Sequence, residues 1–396
     1  MGRLTCAVVG GGYAGIHAVK AIREQFQGEE LAERELRLIL IDQNPYHLRK
    51  VLLFKPAAAD EDITVPFSRL FAEGVEVIQG EVSKVRARER QLIYKDMAGQ
   101  DRELVYDILI FAAGSIVRQP EPRQGGTTLN GLDSAKEIRE VWCSNLRKAV
   151  YDKRADERSR LMTLVVAGAG ISGIETSAEL AYHVRADAKV LGIEPNEVRV
   201  ILVNTHNRLF PEGPDKVGRR LEHALTERGV EVIHSCRVQE EKEGLVRLSN
   251  GQTLPAGLCV WTLGLLPHPM LESMGLPVTQ EGYVAVDESY RVQGLDGIYC
   301  IGDCAHIVSP SCGRADGKTC KEAIAQASRL GKVLVADLKG RPAPKHQSHF
   351  DFFCFGLGPG QGMVWTRKWG LDIILSGKLG WRVRKWIWDI ASFQTP

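Results

Sequence analysis

An apolar stretch over residues 4–9 runs straight into Gly10-Gly11-Gly12-Tyr13-Ala14-Gly15, and a helical pattern follows to residue 26. Strand, glycine turn and helix in that order leave the chain few folds. Gly10 makes the tight turn, Gly12 leaves the backbone open to a pyrophosphate, and Gly15 lets helix and strand pack closely. Phosphates are then met by free amides and the positive end of the helix. A second apolar strand, 36–41, ends in Asp42, whose carboxylate suits the two hydroxyls of an adenosine ribose. Tyr13, Ala14 and the neighbouring Gln43 join this first set of cofactor-binding candidates.

The pattern then repeats. Residues 161–167 are apolar, Gly168-Ala169-Gly170-Ile171-Ser172-Gly173 is the turn, 174–184 reads as helix and 198–203 as the next strand. Here the strand closes on Asn204 instead of an acid, with His206 and Arg208 close behind. An acid would favour a free 2′-hydroxyl and repel a 2′-phosphate. Without one, NADH and NADPH both remain open.

Two more segments complete the first site. Residues 104–111 read as one apolar strand leading into Ala112-Ala113-Gly114-Ser115, where small residues let the chain pass close to a cofactor. Residues 297–304 read as a short buried strand ending in Gly302-Asp303, a carboxylate placed to hold the ribitol hydroxyls of a flavin. Val82 and Gly264 are further cofactor-binding candidates. Two dinucleotide fingerprints with a flavin-closing Gly-Asp between the second of them and the C-terminus imply an α/β chain with two Rossmann-like domains. One holds FAD and is discontinuous (1–117 and 287–345). The other holds NADH or NADPH and is inserted (118–286), and 346–396 is a C-terminal segment. Residues 116–131, with Pro120, Pro122, Gly125 and Gly126, read as the crossing linker, and 134–153 as a helix. The charged stretch 28–37 reads as a solvated excursion.

Composition excludes several classes. The net charge of +2 gives no reason to expect a nucleic-acid partner. No apolar run is long enough to span a bilayer. The strand at residue 4 leaves no room for a signal peptide ahead of it. The nine cysteines are irregularly spaced with no Cys-x-x-Cys pair, which argues against a disulfide framework and against a metal site. A reducing, cytoplasmic setting is expected.

The order of these motifs resembles the two-dinucleotide-binding-domain flavoproteins. Within them it is most similar to type II NADH dehydrogenases and ferroptosis-suppressor-type quinone reductases. The supporting stretches are Asn44-Pro45-Tyr46-His47, residues 165–175 with Glu179-Leu180, residues 194–200, Leu209-Phe210-Pro211, Val260-Trp261-Thr262 and Ile301-Gly302-Asp303-Cys304-Ala305. The resemblance implies hydride transfer from NAD(P)H to flavin, then reduction of a quinone, with no protein thiol taking part. It also implies a role for Glu175 beside flavin and nicotinamide, as a partner of the carboxamide or a proton carrier. The plainer reading is an acid suited to the first turn of a helix, and Glu179 is the weaker rival.

The resemblance departs from its pattern at the acceptor. Where the family has Ala-Gln-x-Ala-x-Gln, one register puts Lys321 and Ala325 at the glutamine places, and the other puts Ala325 and Arg329 there. A helix is still expected from Ala323, Ala327 and Leu330. The acceptor is then a quinone or another small electron acceptor. The alternatives are a soluble reductase with a non-quinone acceptor and a slow-turnover NAD(P)H-sensing flavoprotein. Sulfide:quinone oxidoreductases, a related group, use two cysteines near the flavin, for which Cys143 and Cys354 would be the candidates. The plainer reading makes Cys354 a small buried apolar residue.

The tail is different in kind. Five of the seven tryptophans fall in residues 365–396, with six Lys/Arg against Asp372 and Asp389. Leu379, Val383, Trp386, Ile387 and Ile390 share one helical face, and Lys378, Arg382, Lys385 and Asp389 another. Such a helix suits a membrane interface, peripheral on the cytoplasmic face; the alternatives are docking on the protein's own surface or on a homodimer partner.

Overall fold

The computed structural model describes residues 3–27, 35–348 and 351–394. Most of the charged stretch 28–37 therefore lies outside the described residues. The chain builds two large sheets with parallel cores, each carrying one glycine turn. In the seven-stranded sheet the order is Ile298–Cys300, Ile108–Phe111, Arg3–Val9, Glu35–Asp42, Glu76–Arg86, Gln91–Asp96 and Asp101–Val105. Its first five strands pair in parallel. The last three form an antiparallel meander at the edge. Cys6 to Val9, Leu38 to Ile41 and Ile108 to Phe111 are all buried, as strands covered on both faces must be. The Tyr13–Phe26 and Cys320–Leu338 helices pack together over this sheet, closely enough that a Cβ on Gly331 would lie 3.2 Å from the Ala21 carbonyl oxygen.

The second sheet has the order Thr127–Thr128, Leu258–Trp261, Thr163–Ala167, Arg199–Val203 and Val230–Ile233, all parallel. The Leu132–Tyr151 and Ile171–Val190 helices pack against it. The two sheets are joined by a ribbon in which Ser115–Val117 pairs antiparallel with Leu265–Pro267. A three-stranded antiparallel sheet (Phe352–Gly356, Gly362–Lys368, Leu371–Ser376) and the Gly377–Ala391 helix end the chain.

One expected element breaks in two. Residues 104–111 are not a single strand: Asp101–Val105 ends the meander, and Ile108–Phe111 starts afresh in the parallel core. The break lies at Tyr106 and Asp107. The Asp107 carboxylate accepts the Thr5 amide at 2.8 Å, and the Tyr106 amide bonds to the Arg90 carbonyl. Both bonds turn the chain between the two pairings, and neither can be seen in the apolar pattern.

Candidate active site

Each glycine turn is sterically determined. Gly10 has φ +100°, and a Cβ there would lie 2.5 Å from the Ala112 oxygen. A Cβ on Gly15 would come within 1.8 Å of the Gly10 oxygen, so the helix can reach the strand only without a side chain. Gly168 and Gly173 repeat this, with φ +111° and the same 1.8 Å approach. At Gly12 and Gly170, by contrast, a Cβ would meet nothing, which leaves both turns open on the side a pyrophosphate would approach. Ser172 at the second turn is exposed and Ile171 half-buried.

Asp42 tightens the first turn. Its carboxylate accepts the Gly11 amide at 2.6 Å and the Asn44 amide at 2.8 Å. Burial pushes its pKa up, and these two amides pull it back down. His47 is fully buried, lies edge-on to the Tyr13 ring and donates from Nδ1 to the Gly11 oxygen at 2.9 Å. Burial lowers its pKa to about 4, so the ring is neutral, and its Nε2 has no hydrogen-bond partner among the described residues. Gln43 is exposed next to Asp42, Val82 sits in the core beneath, and Gly114 is open at φ +70° beside exposed Ala113.

Across this floor stands Asp303, on the turn Gly302–Cys304. Ser115 donates its hydroxyl to the Asp303 carboxylate at 2.9 Å, and the Lys50 ammonium reaches the Ser115 carbonyl at 2.6 Å. Burial raises the Asp303 pKa, while Ser115, Lys318 and Lys50 lower it. Gln326 holds the turn from behind: its Oε1 accepts the Gly302 amide at 2.8 Å, and its Nε2 donates to Asp316 at 2.7 Å. An open pyrophosphate cradle, an acid at the strand end, an orphaned buried imidazole nitrogen and a carboxylate between two ammonium groups fit an FAD.

At the second turn, Asn204 is buried. It donates to the Arg208 carbonyl at 2.9 Å, bonds His234 Nδ1 and accepts the His206 amide. The Arg208 guanidinium is turned away onto the carbonyls of Phe210, Pro211 and Gly213 and onto Asp215. Gly264 lies where the ribbon returns, its carbonyl accepting the Arg118 amide.

Glu175 follows the second glycine turn by two residues. It is buried on the Ile171–Val190 helix and accepts the Gly356 amide at 2.6 Å. Arg384 of the closing helix grips the same carboxylate with contacts of 2.8, 3.1 and 3.1 Å. Burial pushes the Glu175 carboxyl up, opposed by Arg384 and the Gly356 amide; Arg384 keeps its proton. Glu179, one turn on, faces Lys55 and His183 instead. The Cys320–Leu338 helix has the expected Ala323, Ala327 and Leu330 buried, and at its start Lys321 bonds the Phe352 carbonyl. Cys354 and Cys143 are not brought together. Cys354 is buried among Arg384, Lys321, Glu175 and Cys320, its thiol pushed up to about 12 by burial, whereas Cys143 lies on the Leu132–Tyr151 helix near Asp187, Arg139 and Arg147.

The tail helix turns an unexpected face inward. Its buried residues are Gly380, Arg384, Trp388 and Ala391, while Leu379 and Trp386 stay exposed. Arg384 is drawn in by the buried carboxylate, and the Arg49–Asp389 pair at 2.8 Å fastens the next turn. Arg384, Gln326, Lys50 and Lys318 are functional candidates that sequence reasoning missed. Gln326 alone left a signal, as a glutamine within the region already under suspicion.

Residues 4–327 match the family described as pyridine nucleotide-disulphide oxidoreductase. The chain belongs to that family. As a pyridine nucleotide-disulphide oxidoreductase it is a flavoprotein enzyme that binds FAD and a nicotinamide dinucleotide. It is similar to a probable NADH dehydrogenase of Dictyostelium discoideum, 26% identical over 69% of this chain and 64% of that protein. It is also similar to a type II NADH:quinone oxidoreductase of Staphylococcus haemolyticus, 26% identical over 91% of this chain and 89% of that one. In fold it matches NDH2 of Plasmodium falciparum, solved with NADH, with a TM-score of 0.81 at 16% identity, covering 99% of this chain and 97% of that one.

Proposed function

We propose that the protein is an NADH:quinone reductase working at a membrane surface. The observation that carries this reading is the meeting of three elements at Glu175. The carboxylate comes from the helix of the second nucleotide turn, its amide partner Gly356 from the C-terminal sheet, and its cation Arg384 from the closing helix. Residues 1–117 and 287–345 would hold FAD, and 118–286 the nicotinamide dinucleotide. FAD, when bound, accepts a hydride and passes the electron pair on.

The chain's own residues do the rest. Gly10, Gly12 and Gly15, with Tyr13, Ala14, Asp42, Gln43 and Val82, place the adenosine end; Ala113, Gly114, Gly302 and Asp303 place the flavin end. Gly168, Gly170, Ile171, Ser172 and Gly173, with Asn204, Arg208 and Gly264, receive the nicotinamide dinucleotide. The Arg208 guanidinium, engaged on the carbonyls of Phe210, Pro211 and Gly213 and on Asp215, supports NADH over NADPH. Glu175 carries a proton towards the acceptor, its charge set by Arg384. The type II NADH:quinone oxidoreductase of S. haemolyticus supports a quinone acceptor. Lys321 and Ala325, or in the other register Ala325 and Arg329, at the two glutamine places keep a non-quinone acceptor as the second reading.

The exposure of Trp369, Leu371, Ile373, Leu379 and Trp386 in the C-terminal segment, with Lys368, Lys378 and Lys385 in the same segment, supports contact with a lipid surface; a homodimer contact is its alternative. No helix among the described residues is long and apolar enough to cross a membrane. The test is anaerobic bleaching of the flavin by NADH and by NADPH, followed by a panel of quinones. Bleaching and fast recovery with a quinone is the expected result. Bleaching without recovery would move the search to another acceptor, and no bleaching would end this reading.

A further inference from the structure

Cys300 and Cys304 flank the turn that presents Asp303. Both are fully buried, and their sulfurs lie 3.4 Å apart. Cys304 Sγ also meets the Ile301 carbonyl at 3.4 Å. The Cys300 S–H and the Ala113 and Gly114 amides hold the Cys304 thiol below its ordinary range. Burial, and then Cys304 itself, hold Cys300 well above its own. The Lys318 ammonium faces both sulfurs. Cys304 is thus the easier of the two to ionise, and Cys300 stands within reach as its partner. Cysteine pairs that react with oxidants combine a stabilised nucleophile with a resolving partner in reach.

We propose that Cys300 and Cys304 are a peroxide-oxidisable pair whose disulfide loosens the hold on FAD. The Cys304 thiolate attacks a peroxide oxygen; an S–O bond forms, the O–O bond breaks, and the departing hydroxide takes up a proton as water. The Cys300 sulfur then attacks the Cys304 sulfur; the S–S bond forms, the S–O bond breaks, and the hydroxyl leaves with the Cys300 proton as a second water. Two thiols are oxidised and one peroxide is reduced to two waters. A disulfide needs about 2.05 Å between sulfurs. Closing from 3.4 Å draws the two ends of the Gly302-Asp303 turn together. Asp303 then moves against Ser115 and Lys50. This last step rests on Asp303 being a flavin ligand, as proposed above; the disulfide itself does not.

The experiment uses the FAD-loaded protein carrying Cys312→Ser, which removes the exposed cysteine nearby. Protein treated with a few equivalents of hydrogen peroxide is denatured, its free thiols are alkylated, and it is cleaved on the N-terminal side of aspartate. Cleavage before Asp303 separates Cys300 from Cys304. The expected result is a pair of peptides joined by a reducible bond, together with flavin lost on gel filtration and regained after dithiothreitol. In Cys300→Ala the joined peptides vanish, and Cys304 is trapped by dimedone as a sulfenic acid. Full alkylation of both cysteines after peroxide treatment overturns the proposal. A bridge that leaves flavin retention unchanged overturns the coupling to FAD, whatever the acceptor of the enzyme proves to be.

Discussion

Arg384 of the closing helix and Glu175 of the Ile171–Val190 helix form a buried ion pair across 209 residues of sequence, with the guanidinium 2.8 Å from the carboxylate. Two desolvated charges are tolerated there because the Gly356 amide and the geometry of the grip satisfy both. The pair ties the tail to the centre of the enzyme.

Arg384→Met therefore leaves an unpaired buried carboxylate and should cost about 3–5 kcal/mol of stability. Replacing both residues with Glu175→Gln and Arg384→Met should cost much less than the two single changes added together. Denaturant unfolding of the four proteins measures this. Additive losses would mean that the pair does not couple.

The two glycine turns should fail separately. Gly15→Ala puts a Cβ 1.8 Å from the Gly10 oxygen and should give protein purified without flavin. Gly173→Ala makes the same clash with Gly168 and should keep the flavin while NADH no longer bleaches it. Flavin absorbance of the two purified proteins decides; loss of flavin in both would break the assignment of the turns.

Nucleotide preference follows from Arg208. With its guanidinium on three carbonyls and Asp215, reduction by NADH should outpace NADPH by about tenfold or more, a difference of about 1.4 kcal/mol. Stopped-flow bleaching with each nucleotide is the check, and equal rates would refute it.

Acid should weaken the fold. Burial lowers His17 and His47 to about 4, against roughly 6.5 in an unfolded chain. Between those values the unfolded state binds protons that the folded state refuses. Stability is therefore whole above pH 6.5 and drains as pH falls towards 4, by up to about 3 kcal/mol per histidine. His17 also bonds the Ala391 carbonyl, so the closing helix should loosen with it. Urea midpoints between pH 7.5 and 5 should fall less steeply in His17→Gln; parallel curves would exclude His17.

Lipid contact can be tested without disturbing Arg384. Trp369→Ser with Trp386→Ser removes two exposed tryptophans, 87% and 61% accessible, that lie outside both glycine turns. Sedimentation with anionic liposomes should drop severalfold while NADH still bleaches the flavin. Full-length protein that never sediments would exclude the lipid surface.

Local patterns made half of this protein legible. A glycine spacing is a steric statement about a few neighbouring residues, and Gly10 to Gly15 and Gly168 to Gly173 mean the same thing wherever they fold. Runs of buried apolar residues likewise announced the parallel strands. Tertiary structure decided what depends on distant partners. The Asp107 carboxylate met the Thr5 amide and split a strand, Gln326 met Gly302, and Glu175 chose Arg384. The apolar stripe of the tail stays half outside, because the cost of leaving a buried carboxylate unpaired exceeds what a few half-exposed apolar side chains gain by turning inward. Periodicity within one helix records the side chains it carries; which of them is pulled into the core depends on the charge waiting on another element.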